Sequence, residues 1–266
     1  MFSNYRISVI MGIFNCESTI KEAIESLLSQ SYKAFQIILC DDGSTDNTYN
    51  IAKEYANKYS NIILLKNESN KGLNYTLNKC LSKANSEYIA RMDGDDISLP
   101  NRFITQINFL DANPKYAFVS SPMIYFDDSG DFRIGKTSIN CPSRLDFIHG
   151  TPFCHAPVMI RRKALVDVGG YSEDKRLLRV EDYHLWFKLY SKSYIGFNLD
   201  KPLYKMRDDI NAIKRRTLKN RINETYVKYI GFKMLKLPFY YQVYALRPIL
   251  VGLIPKRIYC YLHKHK

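Results

Sequence analysis

A chain of 266 residues is long enough for one sizeable α/β core, alone or with a small appendage. Its hydrophobic fraction of 46% is ordinary for a globular protein, and no low-complexity segment or solenoid-type repeat runs through it. The formal charge of +13 is unevenly placed: residues 1–200 hold 23 Lys/Arg against 23 Asp/Glu, whereas residues 201–266 hold 16 against 3. A basic excess confined to the last quarter, without a recognisable reading motif, argues against a nucleic-acid partner. It suits the anionic face of a membrane better.

The six cysteines (Cys16, Cys40, Cys80, Cys141, Cys154, Cys260) stand far apart with no Cys-x-x-Cys spacing. A disulfide framework is therefore not expected, and the reading is a reducing cytoplasm. Met1 to Arg6 lead straight into a strand, so no signal peptide is expected. No apolar run approaches the roughly 20 residues that span a bilayer. The expected location is cytoplasmic, peripheral on the inner face of the plasma membrane. The 21 tyrosines against one Trp fit carbohydrate-facing or membrane-interface surfaces.

In chain order, strand and helix patterns alternate through the first half. Ile7–Ile13 is a β-branched run ending at Phe14-Asn15, and a helix follows over about Glu17–Ser29. Phe35–Cys40 is a second strand closed by Asp41-Asp42-Gly43-Ser44, after which Thr45 or Asp46 can cap a helix to about Tyr59. Asn61–Lys66 is a third strand and Gly72–Ala84 a third helix. Glu87–Met92 is a fourth strand, ending in Asp93-Gly94-Asp95-Asp96, and Pro100 marks the first turn of a helix that stops near Asn113-Pro114. Met123–Phe126 and Phe132–Gly135 read as a hairpin. Ala156–Ile160 is a short strand, Gly169-Gly170 a break, and Val180–Lys192 an amphipathic helix bearing Trp186. Tyr194–Asn198 and Leu203–Met206 are the last short strands; from about Asp209 the chain looks helical, with breaks at Pro238, Pro248 and Pro255.

Such alternation implies a mostly parallel, Rossmann-like sheet flanked by helices, with ligands bound beyond the carboxyl ends of the strands. Asn15, Asp42 and Asp93–Asp96 should then share one sheet edge. Three carboxylates within Asp93–Asp96 repel one another unless a cation or donors compensate them. Asp-x-Asp offers hard oxygens to Mn²⁺ or Mg²⁺; the plainer alternative is a solvated turn that caps the next helix. Asp41-Asp42-Gly43-Ser44 is a turn by composition, or an Asp placed to accept from a base N–H. Glu181-Asp182 either complements the dipole of its helix or supplies a carboxylate base. His155 is a structural histidine or an acceptor contact. Lys71-Gly72 reads as a loop and cap or as support for a phosphate at a helix start.

Taken together, the ordered segments Ile7–Asn15, Asp41–Asp46, Asn70–Asn74, Ala90–Asp96, Gly169-Gly170-Tyr171 and Glu181-Asp182-Tyr183 resemble the family-2 glycosyltransferases, inverting enzymes of GT-A fold. The likeness covers about residues 6–205. It implies a catalytic domain over 1–208, with a nucleotide-binding half to about residue 100 and an acceptor half over 101–208. Residues 209–266 would be a basic, aromatic helical tail that associates with membrane. By the same resemblance, Asp42 would bind the donor base, with Gly12, Ile13, Phe14 and Asn15 lining its pocket and Glu17 nearby. Lys71 would support the donor, Asp93 would touch ribose or diphosphate, and Asp95 would hold the metal. Asp182 would be the catalytic base; apart from the resemblance, His155, Glu181 and Trp186 are candidates for acceptor contact. The expected reaction moves a sugar from a nucleotide-sugar, of UDP type, to a hydroxyl of a glycan or lipid-linked glycan in bacterial surface polysaccharide synthesis. Gly12 departs from the family's usual Pro, and the Gln-x-x-Arg-Trp element of processive members is missing, which favours single addition. A sugar nucleotidylyltransferase would want a Gly-rich, Arg-containing loop after the first strand, and a dehydrogenase Gly-x-Gly-x-x-Gly; Gly12–Ser18 offers neither. A non-catalytic basic binding module would leave the acidic clusters unexplained.

Overall fold

Aliphatic runs with both faces covered build the central sheet of the computed structural model, which describes residues 5–208 and 217–252. In chain order the strands are β1 (Ile7–Ile13), β2 (Phe35–Asp41), β3 (Ile62–Lys66), β4 (Tyr88–Asp93), β5 (Ile97–Ser98), β6 (Tyr116–Ser120), β7 (Ile124–Asp127), β8 (Gly130–Ile134), β9 (Met159–Arg161), β10 (Ile195–Asn198) and β11 (Tyr204–Arg207). The helices are α1 (Ile20–Leu28), α2 (Thr48–Lys58), α3 (Leu73–Lys83), α4 (Arg102–Ala112), α5 (Arg162–Asp167), α6 (Glu181–Ser191), α7 (Leu218–Met234) and α8 (Arg247–Gly252).

Seven strands form one sheet in the order β10-β6-β9-β4-β1-β2-β3. Within it β9 runs antiparallel to both β4 and β6, and the other pairings are parallel. A smaller sheet, β5-β11-β7-β8, sits beside it. Strand alternation sends Ile10, Ile38 and Ile89 to one face and Val9, Met11, Ile37, Leu39 and Ala90 to the other. The first face is covered by α3 and α6, the second by α1 and α4. The register sets Gly12 opposite both Cys40 and Asp93, and Ile13 opposite Asp41, so the carboxyl ends of β4, β1 and β2 finish level.

Several boundaries differ from the sequence reading. The second helix begins at Thr48 behind Asn47, and Asp46 supports it by accepting from the Thr48 N–H at 3.0 Å. Strand β6, buried along its whole length, and the six-residue α5 were not foreseen. The tail is helical as expected, yet α7 is no free appendage: Val227, Phe232 and Leu235 join the core that α6 covers. Gly231 lies so close to the Phe187 ring that a Cβ there would fall 2.2 Å from it. Pro238 begins a 3₁₀ segment, Phe239–Leu246, while Pro248 sits in the first turn of α8, where its missing N–H costs nothing. The break at Pro255 lies outside the described residues.

Candidate active site

The loop after β1 is stitched to the loop after β2 by Asn15. Its backbone is left-handed (φ 46°), its N–H donates to Ser44 Oγ at 3.1 Å, and its Oδ1 accepts from the Thr45 N–H at 2.9 Å. Asn tolerates this conformation better than most residues because its short amide bonds locally. Glu17, expected near the donor base, points elsewhere: its carboxylate accepts from the Asn47 N–H at 2.8 Å and so supports the start of α2. Gly12 leaves room that α3 fills, since a Cβ there would stand 3.1 Å from both Leu73 and Thr76.

Asp42 is 4% exposed, and its carboxylate accepts from Asn67 Nδ2 (2.8 Å), the Lys71 N–H (2.8 Å) and the Gly72 N–H (2.9 Å). The backbone N–H of Lys71, offered above to a phosphate, is thus already used, and the Lys71 side chain is exposed. A cleft of about 290 Å³ lies over this carboxylate, lined by Gly12, Ile13, Phe14, Asn70, Gly72, Leu73, Thr76 and Glu181 among others. A second cleft, of about 410 Å³, shares Gly12, Ile13 and Phe14 with the first and is bounded further by Asn15, Cys16, Ser18, Thr19, Asp93, Gly94, Asp95 and Arg207.

The three acids of the Asp93–Asp96 loop meet three fates. Asp93 is gripped by both terminal nitrogens of Arg91, two residues back on the same face of β4, whose own side chain is almost wholly buried. Asp96 is buried and accepts from the Arg207 N–H at 2.8 Å; burial first, then the charges of Asp93 and Asp95, pushes its carboxyl far up. Asp95 alone has no side-chain partner and lines the open cleft, where desolvation by the cleft walls, followed by the charge of Asp93, raises its carboxyl above the usual carboxylate range. Among the described residues no three His, Cys, Asp or Glu converge as a cation cage. One free carboxylate beside an open cleft still suits Mn²⁺ or Mg²⁺, which complete their shells with water and donor phosphate oxygens.

Glu181 and Asp182 open α6 and face separate clefts. Glu181 reaches the Asp42 side, where its Oε2 is buried without a hydrogen-bond partner. Asp182 lines a cleft of about 360 Å³ with Gly150, Thr151, Arg179, Val180, Tyr183, Asn220, Arg221 and Glu224. Burial and then the neighbouring Glu181 charge push its carboxyl up to about 6, against the opposing pull of Arg91. A carboxylate held near neutrality is a competent proton acceptor. Arg91 thus grips Asp93 and also lowers the carboxyl of Asp182 through its charge.

His155 is half-buried and bonded to the Tyr171 hydroxyl at 2.9 Å; burial and the Arg91 charge hold it well below its ordinary range, so it is neutral. Trp186 corrects an expectation. It is wholly buried, stacked on Phe118 with ring centroids 4.8 Å apart, and cannot touch an acceptor. Arg207 is the residue the sequence reading missed. From the end of β11 its guanidinium reaches Glu22 (2.9 Å), Asp128 (3.0 Å) and the Asp95 carbonyl (3.2 Å), placing a cation in the same cleft as Asp95.

A mostly parallel α/β sheet with acidic loops at its carboxyl edge defines a glycosyltransferase of GT-A fold, and the comparisons agree. Residues 8–169 match the family model described as glycosyl transferase family 2. The glycosyltransferase EpsE of Bacillus subtilis is 42% identical over 267 residues, covering 100% of this chain and 96% of that one. WfaP of Escherichia coli, a UDP-Glc:alpha-D-GlcNAc-diphosphoundecaprenol beta-1,3-glucosyltransferase, is 30% identical across 90% of this chain and 94% of its own. Staphylococcus aureus TarS in complex with UDP-GlcNAc superposes with a TM-score of 0.72 at 19% identity, over 93% of this chain and 71% of that one. A mannosyltransferase of Pyrobaculum calidifontis, in complex with GDP-Man and Mn²⁺, gives 0.67 at 18% over 93% and 74%. This chain belongs to glycosyl transferase family 2.

Proposed function

We propose that the chain transfers a single sugar from a UDP-sugar to a hydroxyl of a lipid-linked glycan, inverting the anomeric carbon, in the assembly of a bacterial surface polysaccharide. The observation that carries this reading is that Asp42, and Asp95 with Arg207, line two clefts that share Gly12, Ile13 and Phe14, while Asp182 lines a third cleft that shares Arg179 with the first. Two relatives support the substrates: TarS was solved with UDP-GlcNAc, and WfaP uses UDP-Glc and a diphosphoundecaprenol-linked acceptor.

The nucleoside lies against the Gly12–Phe14 backbone and Asp42, with the diphosphate toward Asp95 and Arg207. Asp95 would hold a divalent cation, which when bound would supply Lewis-acid stabilisation of the leaving diphosphate. Arg207 adds a fixed positive charge on the same side. Asp182, ionised above its raised range, accepts the proton of the acceptor hydroxyl as that oxygen attacks the sugar C1 from the face opposite the nucleotide. One displacement converts an α-linked donor to a β-linked product. Melting temperatures of the full chain with UDP, GDP and their sugars, each with and without Mn²⁺, test the donor class. Stabilisation by UDP compounds that Mn²⁺ deepens is the expected pattern; stabilisation by GDP compounds alone contradicts it.

A further inference from the structure

Helix α7 serves two faces. Its first half lines the Asp182 cleft through Asn220, Arg221 and Glu224. Its second half is fixed to the catalytic core by Val227, Gly231, Phe232 and Leu235. Beyond it the chain turns at Pro238 into a segment of which Ala245 alone is buried. Phe239 is 85% exposed, and Tyr240, Val243, Leu246 and Leu250 each present half or more of their surface. Helix α8 then runs back along α7 until Gly252 reaches Arg221 and Leu218, where Leu218 and Ile222 are again exposed. An apolar ridge therefore extends from Phe239 to the mouth of the Asp182 cleft.

Within residues 217–252 the exposed charged side chains are all basic. Lys219, Lys233, Lys236 and Arg247 are exposed along it. The single acid between Asn211 and Lys266, Glu224, is paired with Arg221 at 3.0 Å. Contiguous exposed apolar groups of this extent mark an interaction surface. A second copy meeting the same face would bring cation against cation, because a two-fold contact opposes each patch to itself. A polyanion without an apolar layer would leave Phe239, Val243 and Leu250 in water. An anionic bilayer satisfies both features, taking the aromatic and aliphatic side chains into the headgroup–acyl boundary and the bases at the phosphates.

We infer that the ridge Phe239–Leu250, flanked by Lys233, Lys236 and Arg247, docks the protein on an anionic phospholipid surface. Docking sets the Asp182 cleft beside the membrane; that consequence rests on the lipid-linked acceptor proposed above, whereas the docking does not. The test is flotation of the full chain with phosphatidylcholine vesicles and with vesicles carrying about a third phosphatidylglycerol. Melting temperature and its shift by UDP with Mn²⁺ are read in parallel, so that a failed donor assignment is seen separately. Wild type should float with the anionic vesicles and lose binding in high salt. The triple variant Lys233→Glu/Lys236→Glu/Arg247→Glu should bind at least 100-fold more weakly, at about fivefold per charge removed. Phe239→Ser/Val243→Ser, both exposed, should weaken binding at least tenfold with melting unchanged. Wild-type chain that stays unbound, binds both vesicle types alike, or floats as well with either variant overturns the inference. So does a dimer that the Phe239→Ser/Val243→Ser variant dissolves while no vesicle binding is seen.

Discussion

The raised carboxyl of Asp182 has a measurable consequence for the pH dependence of transfer. At about 6, Asp182 is roughly nine-tenths ionised at pH 7 and one-tenth ionised at pH 5. A base acts only when ionised, so kcat/KM should fall about tenfold over those two units. A carboxyl at its ordinary value near 3.8 would lose almost nothing there. After burial, the largest cause of the shift is the negative charge of Glu181 next to it. Glu181→Gln removes that charge, stabilises the ionised form of Asp182, and should move the acid limb to lower pH. The same substitution separates Asp182 from Asp95, whose raised carboxyl owes its shift to burial and Asp93. The assay is initial acceptor-dependent UDP release between pH 4.5 and 8 at saturating donor and Mn²⁺, with acceptor well below its KM, for wild type and Glu181→Gln. A flat profile down to pH 5, or an acid limb that stays in place in Glu181→Gln, refutes the assignment of Asp182 as the titrating base.

Asp95→Ala removes the one unpaired carboxylate of its loop, so the stabilisation of UDP binding by Mn²⁺ should disappear; calorimetry with and without metal reads it. Trp186→Ala empties the space between Phe118 and Phe153 and should cost about 3–5 kcal/mol of stability, measured by denaturant unfolding. Trp186→Phe should leave the acceptor KM unchanged, which an acceptor-contacting Trp would not. Gly231→Ala forces a methyl against the Phe187 ring and should cost about 1–3 kcal/mol, seen as a lower midpoint in the same unfolding experiment.

The strand-end edge was legible because β1, β2 and β4 are short, mostly apolar runs that stop at Asn or Asp. Those runs and stops locate Asn15, Asp42 and Asp93–Asp96 without any tertiary knowledge. Strand β6 escaped because Tyr116–Ser120 is buried on both faces and shows no alternation. Trp186 was misread because an aromatic on a helix beside two acids looks available to sugar, while α6 buries Tyr183, Leu185, Trp186, Phe187, Leu189 and Tyr190. Glu17 lies two residues from Asn15, yet the left-handed turn at Asn15 directs it to α2. Arg91 carried a usable signal, since residues two apart on a strand share a face and Asp93 follows at that spacing. Arg207 carried none: its place against the Asp95 carbonyl and the Asp96 carboxylate comes from β11 returning 112 residues after Asp95. The apolar ridge was only half visible, because the sequence shows basic and aromatic residues together but not that α7 is absorbed into the core.

The proposed role of Asp182 in chemistry, rather than in the fold of α6, is open to a direct test. Purified full chain is incubated with UDP-sugar, Mn²⁺ and a GlcNAc-diphospholipid acceptor, and UDP release is followed beside UDP affinity for wild type and Asp182→Asn. The expected result is acceptor-dependent release by wild type, a fall of roughly 10²-fold or more in Asp182→Asn, and unchanged UDP affinity. Release by Asp182→Asn at the wild-type rate, or a parallel loss of UDP affinity, would contradict it.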